Sequence, residues 1–336
     1  MNGKRWAAIG IAAVLFFFSV VISFLSSFAS AGIESDFTDI FAGAEQGFVE
    51  EVIEEGSEFE KIAVLDVNGT IQDTGDAVSL LESPAYNHRT FLEQLDSAKE
   101  DDAVKGIIIR VNSPGGGVVE SAEIHDRIVE IQKETKKPVY ISMGSMAASG
   151  GYYISAPADK IFASQETLTG SLGVIMQGIN YEGLAEKYGV EFTTIKSGPY
   201  KDIMSPTREM TDAERKILQD MINNSYQGFV KVISEGRNMP VEEVKKLADG
   251  RIYDGRQAKE LGLIDAFGYF DDVIDAMKKD KDLGDAQVVR YATGMGFGSL
   301  FSMGAQKVFG GDIEIQGLLD IISKTNSPRL MYLYSE

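Results

Sequence analysis

Cysteine is absent from the 336 residues, which removes disulfides, thiol nucleophiles and thiolate metal sites together. The absence leaves the compartment open, because an exported protein can do without bridges. Histidine is nearly absent too: His88 and His125 are the only two, which leaves little material for a metal centre. Basic side chains are outnumbered, 32 Lys and Arg against 51 Asp and Glu, for a formal net charge of -19. Phosphate recognition needs a clustered Lys/Arg surface, so no nucleic-acid partner is expected. There is no internal repeat and no long low-complexity linker between residues 62 and 293, which argues for one domain rather than two. What is present is a 44% hydrophobic composition, enough to bury a sizeable core and to make an enzyme.

The long uncharged run is at the N-terminus. Residues 6–31 carry no charged side chain, and 7–28 are rich in Ala, Ile, Val, Leu and Phe, long enough as a helix to cross a bilayer. Lys4 and Arg5 precede it and would hold the N-terminus in the cytoplasm, sending the rest of the chain across. Ala29-Ser30-Ala31 has the small-x-small form a signal peptidase accepts, so a cleaved signal peptide is the competing reading. The apolar region is longer than a signal peptide requires, which favours a retained anchor. Either way the body lies outside the cytoplasm. From Glu34 to Glu60 there are ten acidic residues and no basic one. Mixed with Phe37, Phe41, Phe48 and Val52, they suggest a solvated spacer with amphipathic helical tendency and no chemical role of its own. These boundaries predict an anchor over 1–31, a spacer over 32–60, a catalytic domain over 61–293 and an extension over 294–336.

Within 61–293, strand and helix signals alternate. Strands are predicted over 62–67, 105–111, 138–143, 160–163, 172–176 and 191–196. Helices are predicted over 90–99, 119–134, 181–187, 212–235, 241–247 and 256–260, with Thr211 as a cap. Such an order fits an α/β domain of parallel strands covered by helices.

Two small-residue clusters interrupt that order at strand-to-helix turns. Ser113-Pro114-Gly115-Gly116-Gly117 frees backbone N–H groups to face a developing negative charge, although a plain tight turn would look the same. Ser149 lies between Ala147-Ala148 and Gly150-Gly151, where its hydroxyl could meet a closely approaching peptide; a helix cap is the bland alternative. A serine nucleophile needs a base, and neither histidine follows Ser149. Both sit in helix-like surface patterns that suit structural or exposed residues. The remaining common solution is a lysine desolvated until neutral, since the free amine titrates near pH ~10.4. Lys201, in Ser197-Gly198-Pro199-Tyr200-Lys201-Asp202, is the candidate, yet spacing alone does not separate it from a surface charge. Asp202 beside it could pair with the amine and keep it charged. Ser171 could hold the amine or be an ordinary turn residue.

Five ordered motifs together resemble the signal peptide peptidase A family of bacterial membrane-bound Ser-Lys peptidases. They are Val111-Asn112-Ser113-Pro114-Gly115-Gly116-Gly117, Met146-Ala147-Ala148-Ser149-Gly150-Gly151-Tyr152-Tyr153, Thr169-Gly170-Ser171-Leu172-Gly173-Val174, Ser197-Gly198-Pro199-Tyr200-Lys201-Asp202 and Asp249-Gly250-Arg251-Ile252-Tyr253. The resemblance implies an α/β, Clp protease/crotonase-like fold of repeated β-β-α units behind one transmembrane helix. It implies Ser149 as nucleophile, Lys201 as general base, Ser171 as partner of the amine, and Gly116 and Gly150 as oxyanion-hole amides. It further implies a ring-shaped homo-oligomer, and leaves open whether each Ser-Lys pair is completed within one subunit or across an interface. The implied substrates are apolar peptides, remnant signal peptides among them, with no metal or organic cofactor required. A crotonase-type acyl-CoA enzyme could share the fold, but the N-terminal span speaks against it. A noncatalytic membrane scaffold would leave Ser149 and Lys201 unexplained. The apolar tail over 327–336 is expected to be extended, as a self-ligand of the peptide groove or a segment the enzyme trims.

Overall fold

In the computed structural model the described residues are 48–74, 86–293 and 330–334. The expected transmembrane segment lies outside them. Among the described residues no helix is long and apolar enough to cross a membrane.

The centre of the molecule is a nine-stranded sheet. Its strands are β1 (Phe48–Glu54), β2 (Ser57–Asn68), β3 (Val104–Ser113), β5 (Val139–Ala148), β6 (Lys160–Ala163), β7 (Leu168–Gly170), β8 (Ile252–Tyr253), β9 (Ala266–Phe267) and β10 (Ala286–Thr293). The main path runs β1-β10-β2-β3-β5-β6-β9, with β7 and β8 branching from β5. All pairings are parallel except β1 with β10 and β7 with β8. A short ribbon pairs β4 (Gly115–Gly117) with β11 (Met331–Leu333).

Both faces of the central strands are covered, which is why β3 carries the uninterrupted apolar run Ile107-Ile108-Ile109 at its centre. Ala63, Leu65, Val67, Ile107, Ile109 and Val111 pack on one side, with α1 (His88–Glu100) and α2 (Val118–Thr135). The alternate residues Ile62, Val64 and Ile108 pack on the other, against Val273, Ile274 and Met277 of α8 (Phe270–Asp280). The remaining helices are α3 (Gly150–Ser155), α4 (Glu182–Lys187), α5 (Asp212–Gly236), α6 (Val241–Leu247) and α7 (Gly255–Glu260). Thr211 caps α5 in a box with Glu214, as its spacing predicts.

Three segments differ from the sequence reading. Residues 48–54, expected in the acidic spacer, form edge strand β1, and β2 begins at Ser57. Phe48 is buried and stacks on Tyr291 at 4.8 Å. Glu50 and Glu51 pair with Lys61 and Arg290, so the acids match bases across the sheet. Residues 191–196 are not a strand, although their composition suits one, because no neighbouring strand pairs with them among the described residues. Residues 172–176 make only an isolated bridge, Ile175 to Met331.

Candidate active site

Three adjacent parallel strands, β3, β5 and β7, end side by side, and the chain turns sharply after each. Crevices at the carboxyl ends of parallel strands are where α/β proteins bind ligands. β5 makes the arrangement possible by splitting its partners: residues 140–142 pair with β6, and 146–148 pair with β7.

After β5 comes Ser149, with φ 53° and ψ -115°, a conformation L-residues rarely adopt. Its amide donates to the Gly170 carbonyl at 2.7 Å, and its own carbonyl accepts from Tyr153 N at 2.9 Å. The turn is thus fixed on both sides, and Ser149 is buried. Its hydroxyl has no hydrogen-bond partner among the described residues. The Ala148–Gly170 register places Ser171 beside Ser149 across the β5–β7 pair. Ser171 also has positive φ, 49°, and its amide donates to the Arg251 carbonyl at 2.7 Å. That bond ties the fifth motif into the site.

After β3, Ser113 Oγ accepts from the Gly115 amide at 3.0 Å and shapes the turn into β4. The glycines here are forced by crowding. A Cβ on Gly116 would lie 1.9 Å from the Ile71 carbonyl oxygen, and one on Gly150 would lie 3.1 Å from Gly116 N. The Gly116 and Gly150 backbones therefore face the same small space.

The tail enters that space. β11 lies antiparallel to β4, with Tyr332 opposite Gly116, and Ile175 bonds Met331 from the other side. A Cβ on Gly115 would meet the Tyr332 carbonyl oxygen at 2.1 Å and Gly150 N at 2.5 Å, so that carbonyl sits among the glycine amides. The Tyr332 ring fills a pocket, stacked 4.9 Å from Tyr153 and tilted 4.6 Å from Phe229. Its hydroxyl donates to the Ser225 carbonyl at 3.2 Å. Burial raises the pKa of both tyrosines, that of Tyr153 to about 12 with Asp126 adding to the effect. The aromatic pocket is absent from the sequence reading; Tyr153 stood within a quoted motif, but Phe229 gives no local sign of meeting it.

Ser149, Ser171, Gly116 and Gly150 are thus brought together, and Lys201 is not. Lys201 lies exposed in a turn between α4 and α5, and its amine has no hydrogen-bond or ion-pair partner among the described residues. The neighbouring Asp202 is engaged elsewhere: it accepts from Lys196 at 2.7 Å and from Arg208 Nε and Nη2 at 2.8 Å each. These hydrogen bonds, Arg208 first, hold its carboxyl well below the usual range.

Neither histidine reaches Ser149 by a hydrogen bond. His88, expected on a surface pattern, is buried, with its ring nitrogens 2.6 Å from Tyr86 Oη and 2.7 Å from Glu123. His125 packs edge-on to Tyr153, 5.4 Å between centroids.

The family model of peptidase family S49 matches residues 131–284, and that of Clp protease matches 81–168. An Enterococcus faecium protein named for signal peptide peptidase SppA is 48% identical over 295 residues, 87% of this chain and 85% of its own. Protease 4 of Salmonella typhi is 37% identical over 63% of this chain but only 33% of its own length. Capsid assembly protease C of phage lambda is 31% identical, over 66% of this chain and 49% of its own. The Clp protease match covers the parallel strands β3 and β5 and the turns that follow them, in keeping with a Clp protease-like mixed α/β fold. Identity at the level of the enterococcal protein, held across most of both chains, means that this chain belongs to peptidase family S49 and is a serine peptidase.

Proposed function

We propose that the protein is a membrane-anchored Ser-Lys endopeptidase that cleaves apolar peptides bound as extended strands, remnant signal peptides among them, outside the cytoplasm. The tail strand carries this reading. A peptide segment lies antiparallel to β4 with one carbonyl oxygen among the Gly115, Gly116 and Gly150 backbones and one large side chain in an aromatic pocket. Main-chain pairing of this kind supplies affinity, and the side-chain pocket supplies selectivity. Tyr332 accordingly marks the residue whose carbonyl would be attacked.

In the proposed reaction neutral Lys201 takes the Ser149 proton as Oγ attacks the peptide carbonyl. The Gly116 and Gly150 amides meet the oxyanion, and Ser171 orients the amine. Lys201 then gives the proton to the leaving amine, and water releases the acyl group by the same route. The lysine comes from a neighbouring copy. In the single chain Lys201 is exposed and has no hydrogen bond to Ser149, and the segment around it carries unpartnered apolar side chains: Ile179, Leu184, Tyr188 and Ile195, the last 97% exposed. A surface of that kind suits a subunit interface. The N-terminal span would hold the assembly at the membrane.

Mixing inactive variants tests this reading. Full-length Ser149→Ala and Lys201→Ala are each expected to lose activity on a fluorogenic apolar peptide. Co-assembled in equal amounts, they should regain about a quarter of parental activity, the share of interfaces pairing an intact serine with an intact lysine in a closed ring. No recovery from a proven mixed assembly would place the dyad within one subunit, and full activity in either variant would refute the dyad.

A further inference from the structure

We infer that Arg208 is a positioning residue for Lys201: it clamps the turn that carries the lysine to the start of α5 and occupies the carboxylate of the adjoining residue, Asp202. The inference rests on the reading of Lys201 as the general base.

The lysine turn is short and irregular. Its own bonds are Lys201 N to Gly198 O at 3.3 Å, Ile203 N to Tyr200 O at 3.2 Å and Ser205 N to Asp202 O at 2.9 Å, and Met204 has a φ of 60°. Bonds this sparse do not hold a side chain in register with a second site. Arg208 supplies what is missing. Its Nε and Nη2 grip both Asp202 oxygens, and Nη2 also donates to the Asp202 carbonyl at 3.1 Å. On its other side Nη1 donates to Glu214 at 2.9 Å, and Nη2 bonds the second Glu214 oxygen. Glu214 is buried and belongs to the α5 capping box, accepting from Thr211 N and Oγ1 at 2.9 Å each. α5 in turn buries Phe229, Val230 and Ile233 in the core. A continuous chain of bonds therefore runs from the core, through α5, Glu214 and Arg208, to the residue next to Lys201. A planar fork that meets two carboxylates at once is a task for arginine rather than lysine.

The charges close on themselves. Asp202 meets Lys196 and Arg208, and Glu214 meets Arg208. Two cations answer two anions, and Lys201 makes no ion pair among the described residues. A carboxylate near an amine favours the ammonium form, so an Asp202 set free would oppose a lysine that must act as a base.

The test follows kcat/KM from pH 6 to 10 with a fluorogenic apolar peptide, using the full-length protein in detergent. The variants are Arg208→Met, Arg208→Lys and the double change Arg208→Met with Asp202→Asn. In Arg208→Met the rise of rate with pH should move up by about one unit, and the rate at pH 7.5 should fall about tenfold. Arg208→Lys keeps a cation on Asp202, and the double variant removes the carboxylate with the guanidinium; both should rise at the pH where the parent does but to a lower plateau, because neither restores the clamp between Asp202 and Glu214. An Arg208→Met profile that does not move overturns the inference, as does a double variant whose profile stays displaced. Where Arg208→Met fails to assemble, Lys196→Met replaces it: stripping one cation from Asp202 should give a smaller shift of the same sign, and no shift is again fatal. Lys201→Ala separates the two levels. If it stays active, the Ser-Lys reading falls; if it is dead while Arg208→Met keeps the parental profile, only the positioning role is lost.

Discussion

Ser149 sits at φ 53° and ψ -115°, a region in which a β-carbon is crowded by its own backbone. Two bonds hold it there, to Gly170 and Tyr153, and the glycines after it let another backbone come close. The strain presents the hydroxyl at the end of β5 instead of folding it into a helix cap. Relieving that strain should stabilise the protein while ending its activity. Ser149→Gly is expected to be more stable than Ser149→Ala by about 1 kcal/mol, and so to unfold at higher temperature, because alanine inherits the crowding and glycine does not. Both should be inactive. Equal melting of the two variants in the same buffer would show that the turn is unstrained.

At the scale of elements, what could be read in the sequence follows how local each signal is. α5 and its Thr211 cap, α6 and β6 are set by residues within a few positions of one another, and their limits follow from pattern alone. The glycine turns after β3 and β5 were legible for the same reason, but as turns only: a cap or a plain turn would look the same, and the roles expected of Ser149 and Lys201 came from the five motifs taken together. β1 was not legible, because its strand character comes from partners some 240 residues away: Tyr291 stacks on Phe48, and Arg290 pairs with Glu51. Judged without those partners, a run of glutamates looks like a spacer. The Arg208 clamp escaped for a similar reason, as nothing local tells which base meets Asp202. Edge strand β1 makes its own prediction. A chain beginning at Glu58 lacks β1, exposes the β10 edge and uncovers Tyr291. Losing the buried Phe48 side chain alone should cost about 1.5–3 kcal/mol, and the bare edge should promote association. Thermal unfolding of chains beginning at Glu45 and at Glu58 would measure the difference, and equal midpoints would mean that β1 adds nothing.

On the scale of the whole molecule, the C-terminus returns to the site where a substrate peptide is proposed to bind. Tyr332 is buried among Tyr153 and Phe229, Tyr334 N bonds the Pro114 carbonyl at 2.9 Å, and Met331 exchanges two bonds with Ile175. A tail tethered so near its groove competes with free peptides at a high effective concentration. If the Tyr332 carbonyl stands where a substrate's is attacked, the peptide bond to Leu333 is the one at risk. The active enzyme should therefore lose its last four residues on standing, whereas Ser149→Ala keeps them. Intact-mass measurement of both proteins, purified alike, decides the matter. A C-terminus ending at Tyr332 in the parent alone fixes the register of the groove and identifies the aromatic pocket as the one beside the cleaved bond. Full-length tails in both would leave the tail as an inhibitor held out of reach of Ser149. In that case Tyr332→Ala should raise the rate on added peptide by emptying the pocket.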